Sequence, residues 1–214
     1  VRLVPRPQQF WSTWEEVPET VPDEFKHVRF FVEVFAGKAW LTRSVRRRRK
    51  LAVLPPIEIE LSDEVTARTD ILDPMVKRKL EAWIRAGVVH FVHFGTPCTS
   101  FSMARRHDGG PPPVRDRENL YGFEKLQGYD KDLVETGTKL MQVTVELCRL
   151  CSQCGVDWSV ENPGSSMIWL MPEMLELREL PGFTEVVFNM CAYGGSSAKP
   201  TMIWSSCNRV LALR

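Results

Sequence analysis

The sequence predicts a mixed α/β fold: a mostly parallel sheet flanked by helices and closed by an antiparallel hairpin at the C-terminus. Three observations point to it. Apolar, β-branched and aromatic runs at 27–35, 51–61 and 88–94 alternate with amphipathic helical patterns. The first run stops at Ala36-Gly37 and the third at Gly95 and Pro97, as strands do where they turn into a crossover. Near the end, two strand-like runs, Phe183 to Met190 and Met202 to Trp204, flank a Gly/Ser-rich turn that suits an antiparallel return.

Residues 1–27 are rich in Pro, Trp and Glu and read as an N-terminal arm, with Phe10, Trp11 and Trp14 free to pack on a core; 28–214 then form the main domain. His27 to Phe35 is the first strand. Ala36-Gly37-Lys38-Ala39 turns the chain, and Ala39 to Val45 opens a helix. Strand, tight small-residue turn and helix is how a Rossmann-type sheet brings backbone amides close to a nucleotide-like ligand. Glu33 is unusual inside such a strand and is expected to face a cofactor. The run Arg46 to Lys50 has two readings, a solvated helix end favoured by the dipole or a phosphate contact.

Leu51 to Leu61 holds the second strand. Glu58 is the first candidate for a ribose-binding carboxylate and Glu60 the second. Asp70 lies at the rim of the sheet or is a simple turn aspartate. Asp73-Pro74 starts the helix Met75 to Ala86. Val88 to Phe94 is a buried strand stopped by Gly95 and Pro97, so Cys98 stands at a strand's C-terminal end, where open α/β sheets bind ligands.

Met103 to Tyr129 is a long irregular stretch holding Arg105, Arg106, Arg115, Arg117 and Lys125, expected to be a mobile basic lid. A long helix, Asp130 to Cys154, follows. Cys148, Cys151 and Cys154 sit at its end without a matching His/Cys pair; helix packing is the main reading and zinc the minor one, and no metal is expected. Gly155 to Val160 is a strand ending in Glu161-Asn162-Pro163-Gly164, and Ser165 to Leu177 reads as one helix.

The totals narrow the function. A net charge of +1 over 214 residues leaves any basic face to local clustering. No apolar run is long enough to span a bilayer, so no membrane partner is expected. Val1 to Pro7 lacks the apolar segment of a signal peptide and an initiator Met, the start expected of a piece of a longer chain. Six cysteines without a secretory signal imply a reducing, intracellular compartment, the nucleus in a eukaryote. A monomer is expected.

Four strand-end signals stand in a set order: Phe35-Ala36-Gly37, Pro97-Cys98-Thr99-Ser100-Phe101-Ser102, Glu161-Asn162, and Tyr193 to Thr201. With Glu58 and Asp70-Ile71 between them, this resembles the DNA (cytosine-5)-methyltransferases, whose pattern runs Phe-Ala-Gly-x-Gly, an acid, Asp-Ile, Pro-Cys-Gln-x-Phe-Ser, Glu-Asn-Val and Tyr-Gly-x-x-Gln-x-Arg-x-Arg. The resemblance covers roughly residues 30 to 205. Ala39, Thr99, Pro163, Ser197, Lys199 and Thr201 depart from the pattern.

The resemblance implies a Rossmann-like methyltransferase fold, S-adenosyl-L-methionine as cofactor, and DNA as partner, with the target base flipped out of the duplex. It implies Cys98 as nucleophile at cytosine C6, Glu161 as donor to N3, Asn162 as orienter of the base or of Glu161, and Lys199 as the anion-facing cation. Phe35 would lie against adenine, Ala36 and Gly37 against the methionine part, Glu58 on the ribose hydroxyls, and Asp70, followed by Ile71, on the adenine amino group. Pro97 completes that set. Arg105, Arg106, Arg115 and Arg117 would hold phosphates. The Thr-Ser-Phe-Ser segment after Cys98 is expected to open a helix that, with Arg105 or Arg106, favours the thiolate. The alternative is a catalytically impaired nucleic-acid or cofactor-binding module, part of a mobile-element or viral polyprotein.

Overall fold

The computed structural model describes residues 9–63, 65–105, 110–194 and 198–213. They divide into two compact units, one built from 1–95 and 150–158, the other from 96–149 and 159–214. This is the α/β architecture the sequence predicts, with parallel strands joined by helices in Rossmann-like fashion and an antiparallel C-terminal hairpin. The opening residues Val1 to Pro7 lie outside the described residues.

In the first unit, β1 (Phe30–Val34) is buried at every position and runs between β2 (Ala52–Val53) and β3 (Val89–Phe94), both parallel to it. Burial on both faces explains the unbroken apolar run Phe-Phe-Val around Glu33. Helix α1 (Trp40–Arg48) links β1 to β2, and α2 (Pro74–Arg85) links β2 to β3. Asp73 caps α2 by accepting the Met75 N–H at 2.8 Å, and Pro74 occupies the first helical position, where no N–H is needed. Val76, Leu80, Trp83 and Ile84 form its buried stripe.

The expected strand 51–61 is much shorter. Pro55 and Pro56 offer no N–H to a ladder, so β2 ends at Val53 and only Ile57 returns, in a single parallel bridge to Val34. The Ile57 carbonyl accepts from Phe35 N (2.8 Å) and Ala36 N (3.2 Å), which places Glu58 beside the β1–α1 turn.

Residues 9–25 are fastened to this unit by aromatic contacts and indole donors. Phe10, Trp11, Phe25, Phe30 and Trp83 meet with ring centroids 4.7–6.2 Å apart. Trp14 donates to the Pro55 carbonyl and Trp83 to the Pro18 carbonyl, each at 2.9 Å. Lys79, only 7% exposed, donates to the Trp14 and Glu15 carbonyls. Its charge is therefore hydrogen-bonded rather than stranded.

In the second unit, β6 (Pro200–Ser205) lies antiparallel to both β4 (Asp157–Pro163) and β5 (Thr184–Asn189), and α3 spans Gly128–Gln153. The single helix expected over Ser165 to Leu177 is broken. Met167–Leu170 and Glu176–Glu179 are 3-10 turns on either side of the short α4 (Pro172–Leu175). Pro172 forbids a helical Met171, which is extended at φ −64°, ψ 132°. The broken segment still buries Ile168, Met171, Met174 and Leu177. No helix among the described residues is long and apolar enough to cross a membrane.

Gly95 shows how tightly the first unit is closed at the strand ends. A Cβ there would sit 2.8 Å from the Phe35 carbonyl oxygen, on a backbone held in place by the Gly95 N–H to Val34 O bond of 2.9 Å. Gly95→Ala is expected to lower stability by about 1–3 kcal/mol, the usual cost of overpacking, read from the urea unfolding midpoint.

Candidate functional site

The turn after β1 carries the cofactor candidates of the first unit. Phe35 is left-handed at φ 58°, as are Gly37 (φ 53°) and Ala39 (φ 50°), the residue just before α1. A non-glycine residue at such angles costs roughly 1–2 kcal/mol, so the turn is held by its surroundings. Glu58 is one such constraint. Its Oε2 accepts the Gly37 N–H at 2.7 Å, and its Oε1 accepts from Ile59 N (2.8 Å) and Glu60 N (3.1 Å). Ala36 is buried against Ala39 and Val65.

Glu33 does not face a cofactor, contrary to the expectation from sequence. Its Oε2 accepts from the Thr42 N–H (2.6 Å) and hydroxyl (2.5 Å), so it caps the first turn of α1. Burial pushes its carboxyl above the ordinary carboxylate range, against the lowering effect of those Thr42 hydrogen bonds. Asp70 accepts the Leu72 N–H at 2.8 Å, which is the turn-aspartate role; it is exposed and lines a cavity of about 740 Å³ with Ile59, Glu60, Leu61, Arg68 and Asp73. Ile71 beside it is 2% exposed and belongs to the core.

The second unit carries Pro97, Cys98, Glu161, Asn162 and Lys199. The Cys98 carbonyl accepts the Phe101 N–H at 2.9 Å, closing a single turn. No helix follows, so the thiol does not gain the expected helix N-terminus. Cys98 and Pro97 are half-exposed, whereas Ser100 and Phe101 are buried.

Two contacts fix this segment. Asn162, 1% exposed, donates from Nδ2 to the Thr96 carbonyl at 2.6 Å, tying the chain just before Cys98 to the end of β4. The Thr96 hydroxyl meets the Thr144 hydroxyl on α3 at 3.0 Å. Thr144 gives its own proton to the Leu140 carbonyl (2.9 Å), so Thr96 is the donor. Asn162 thus orients the Cys98 segment, and its Oδ1 is a buried acceptor with no partner among the described residues. Glu161 is its neighbour on β4 and, by strand alternation, points to the opposite face. Burial raises the Glu161 carboxyl above its ordinary range, and the Lys199 ammonium pulls it partly back. Lys199 is exposed, just before β6.

Arg115 is corrected by the structure. Expected at phosphate, it is 1% exposed and faces protein acceptors. Its Nη1 donates to Leu120 O (2.6 Å), and its Nη2 to Val134 O (2.7 Å), Ser100 Oγ (3.1 Å) and Thr138 Oγ1 (3.1 Å). The guanidinium carbon lies 4.1 Å from the Phe101 ring centroid. Burial lowers its pKa to about 10, which leaves it charged at neutral pH.

Arg105 is also engaged, with Asp130 at 2.9 Å and the Pro112 carbonyl at 2.7 Å. The stretch expected as a free basic lid is therefore pinned to α3 through these two arginines. Arg117 remains exposed, at the edge of a cavity of about 420 Å³ that Arg105, Arg115, Ser102 and Met167 also line. Arg106 and Ser197 lie outside the described residues. Cys148 and Cys151 are buried in α3, and among the described residues no group of His, Cys, Asp and Glu could hold a metal ion.

Sequence reasoning passed over Thr96, Gly137 and Thr144. Gly137 carried a readable signal, a glycine inside a helical pattern. A Cβ there would fall on the Ser100 hydroxyl and 3.4 Å from Arg115 Nη2, so its absence lets the Cys98 turn lie on α3.

No protein-family model and no curated protein matches the chain. Among solved structures it is similar to that of Entamoeba histolytica methyltransferase EhMeth, with a TM-score of 0.44 and 9% identity over 83% of this chain. The match covers 52% of that structure, so the chain spans about half its length.

Two outcomes follow from these contacts. Gly137→Ala adds roughly 1 kcal/mol of helix propensity but forces Ser100 and Arg115 apart. The clash is expected to win, lowering stability by about 1–3 kcal/mol and changing the alkylation rate of Cys98 measured by peptide mass spectrometry. For Glu33, a raised folded pKa gives a contribution to stability that is present below its ordinary 4.5 and lost as pH rises through the raised value. Glu33→Gln should flatten the decline in stability over that rise, followed by denaturant unfolding at a series of pH values.

Proposed function

We propose that the chain is an S-adenosyl-L-methionine-dependent methyltransferase acting on cytosine C5 in DNA through a covalent adduct at Cys98. The observation that carries the reading is the buried Asn162 to Thr96 bond, which ties the chain just before Cys98 to the end of the Glu161 strand. A nucleophile and an acid from two chain segments need that kind of common support, since small misplacement of reacting groups is costly.

Cytosine C5 is a poor nucleophile until a thiolate adds at C6. Cys98 supplies the sulfur from a half-exposed position. Glu161, whose burial favours the protonated form, donates to N3 as negative charge develops on the ring. Lys199 stands near that carboxyl as a point charge. S-Adenosyl-L-methionine supplies the electrophilic methyl group. Glu58 is the carboxylate at the β1–α1 turn, where it takes the Gly37 N–H. A carboxylate there suits a cationic sulfonium and amine better than a pyrophosphate.

A second reading, a module that binds without transferring, is favoured by one observation. The three hydrogen bonds to the Glu58 carboxylate among the described residues come from backbone N–H groups, so ribose hydroxyls would have to compete for it.

The test is trapping on 5-fluorocytosine DNA with S-adenosyl-L-methionine. A covalent adduct is expected with the native chain and none with Cys98→Ala; no adduct with either rejects methyl transfer, and calorimetric cofactor binding without transfer supports the module. Glu161→Gln should slow transfer by about 10²–10⁴ if the proton is needed. Because Lys199 lowers the Glu161 pKa, Lys199→Gln should carry the alkaline fall of the rate to higher pH.

A further inference from the structure

We propose that the outward face of α1 is a binding surface for single-stranded nucleic acid, with Trp40 as the stacking platform and Arg47 and Arg48 as phosphate contacts. The inference goes beyond the methyl-transfer reading and stands without it.

The charge is the first argument. Residues 38–50 hold Lys38, Arg43, Arg46, Arg47, Arg48, Arg49 and Lys50 and no acid, in a chain whose net charge is only +1. A helix C-terminus carries about half an elementary negative charge, which one cation would answer. Five consecutive cations from Arg46 to Lys50 exceed that need and repel one another. Arg47, Arg48, Arg49 and Lys50 are all exposed, and none is in an ion pair with a described residue. A polyanion is the partner that relieves such a cluster, through release of its counterions.

The second argument is Trp40. It is 62% exposed, in a protein where Trp14, Trp83, Trp158 and Trp204 are almost fully buried. The Arg43 guanidinium carbon lies 5.2 Å from its ring centroid. Trp40, Arg43, Ser44 and Arg47 follow i, i+3, i+4, i+7 spacing and share one side of the helix, while Thr42 is buried on the other. An exposed indole flanked by cations is how nonspecific single-strand binders combine base stacking with backbone attraction. A duplex hides the faces of its bases, so the indole selects unpaired ones. An anionic membrane fits less well, because α1 turns its inner side to β1 and β2 and has no broad apolar face left for lipid.

The test is fluorescence anisotropy of labelled oligothymidylate, a hairpin duplex of equal charge, and phosphatidylserine vesicles read by co-sedimentation. The native chain should bind oligothymidylate with an affinity that falls steeply with salt. Arg47→Glu with Arg48→Glu should weaken binding at least about tenfold and flatten the salt dependence. Trp40→Ala should weaken oligothymidylate binding about five- to tenfold and duplex binding less than twofold. All three positions are exposed, and unchanged circular dichroism and melting would show the fold is kept.

Equal binding by the double variant and the native chain overturns the proposal. So does an equal loss on single strand and duplex in Trp40→Ala, or vesicle binding that depends on these residues without oligonucleotide binding. Oligothymidylate binding by a native chain that forms no adduct on 5-fluorocytosine DNA removes only the methyl-transfer reading.

Discussion

The second unit depends on a single buried cation. Arg115 forms no ion pair with a described residue, and its charge is dispersed over two backbone carbonyls, two hydroxyls and the face of Phe101. Those groups come from the Cys98 turn, the irregular stretch after it, and two successive turns of α3. Taking a guanidinium out of water is expensive, and the expense is met only when every one of these partners is in place. The arrangement is therefore cooperative: the turn, the stretch and the helix are placed together or not at all. Gly137 allows it by leaving the Ser100 hydroxyl room against the helix.

The first unit uses acids for a similar end. Three left-handed residues within five positions make an unfavourable turn after β1, and two carboxylates hold it. Glu33 caps α1 from within the strand, and Glu58 reaches the Gly37 amide from the chain beyond β2. Gly95 closes the other side by letting the Phe35 carbonyl approach. The result is a turn fixed by carboxylates at the strand ends, where α/β sheets place their ligands.

Much of this was legible from residues alone. β1 and β3 were readable as mostly apolar, β-branched and aromatic runs, α2 from Asp73-Pro74 and its apolar period, and α3 from its length. The breaks were less so, although their causes are local. Pro55-Pro56 ends β2 and Pro172 splits the helix expected at 165–177, each because proline offers no N–H and restricts the residue before it. Of the candidate site, the positions of Cys98, Glu161 and Asn162 at segment ends were readable, but the bond from Asn162 to Thr96 was not. It joins residues far apart in the chain, and no spacing rule relates them.

What the sequence by itself determined is the order of elements and the chemistry available at their ends, because periodicity and turn residues act over a few positions. Only the tertiary structure decided which charged groups are spent inside the protein and which face water. Arg115 and Arg117 are two residues apart with the same side chain, yet one is sealed among acceptors and the other is exposed. Glu33 and Glu58 read as ligand-facing acids, yet both bind backbone amides of their own chain. The physical reason is that burial and hydrogen-bond partners are set by segments brought together in space, and a side chain's identity carries no record of them.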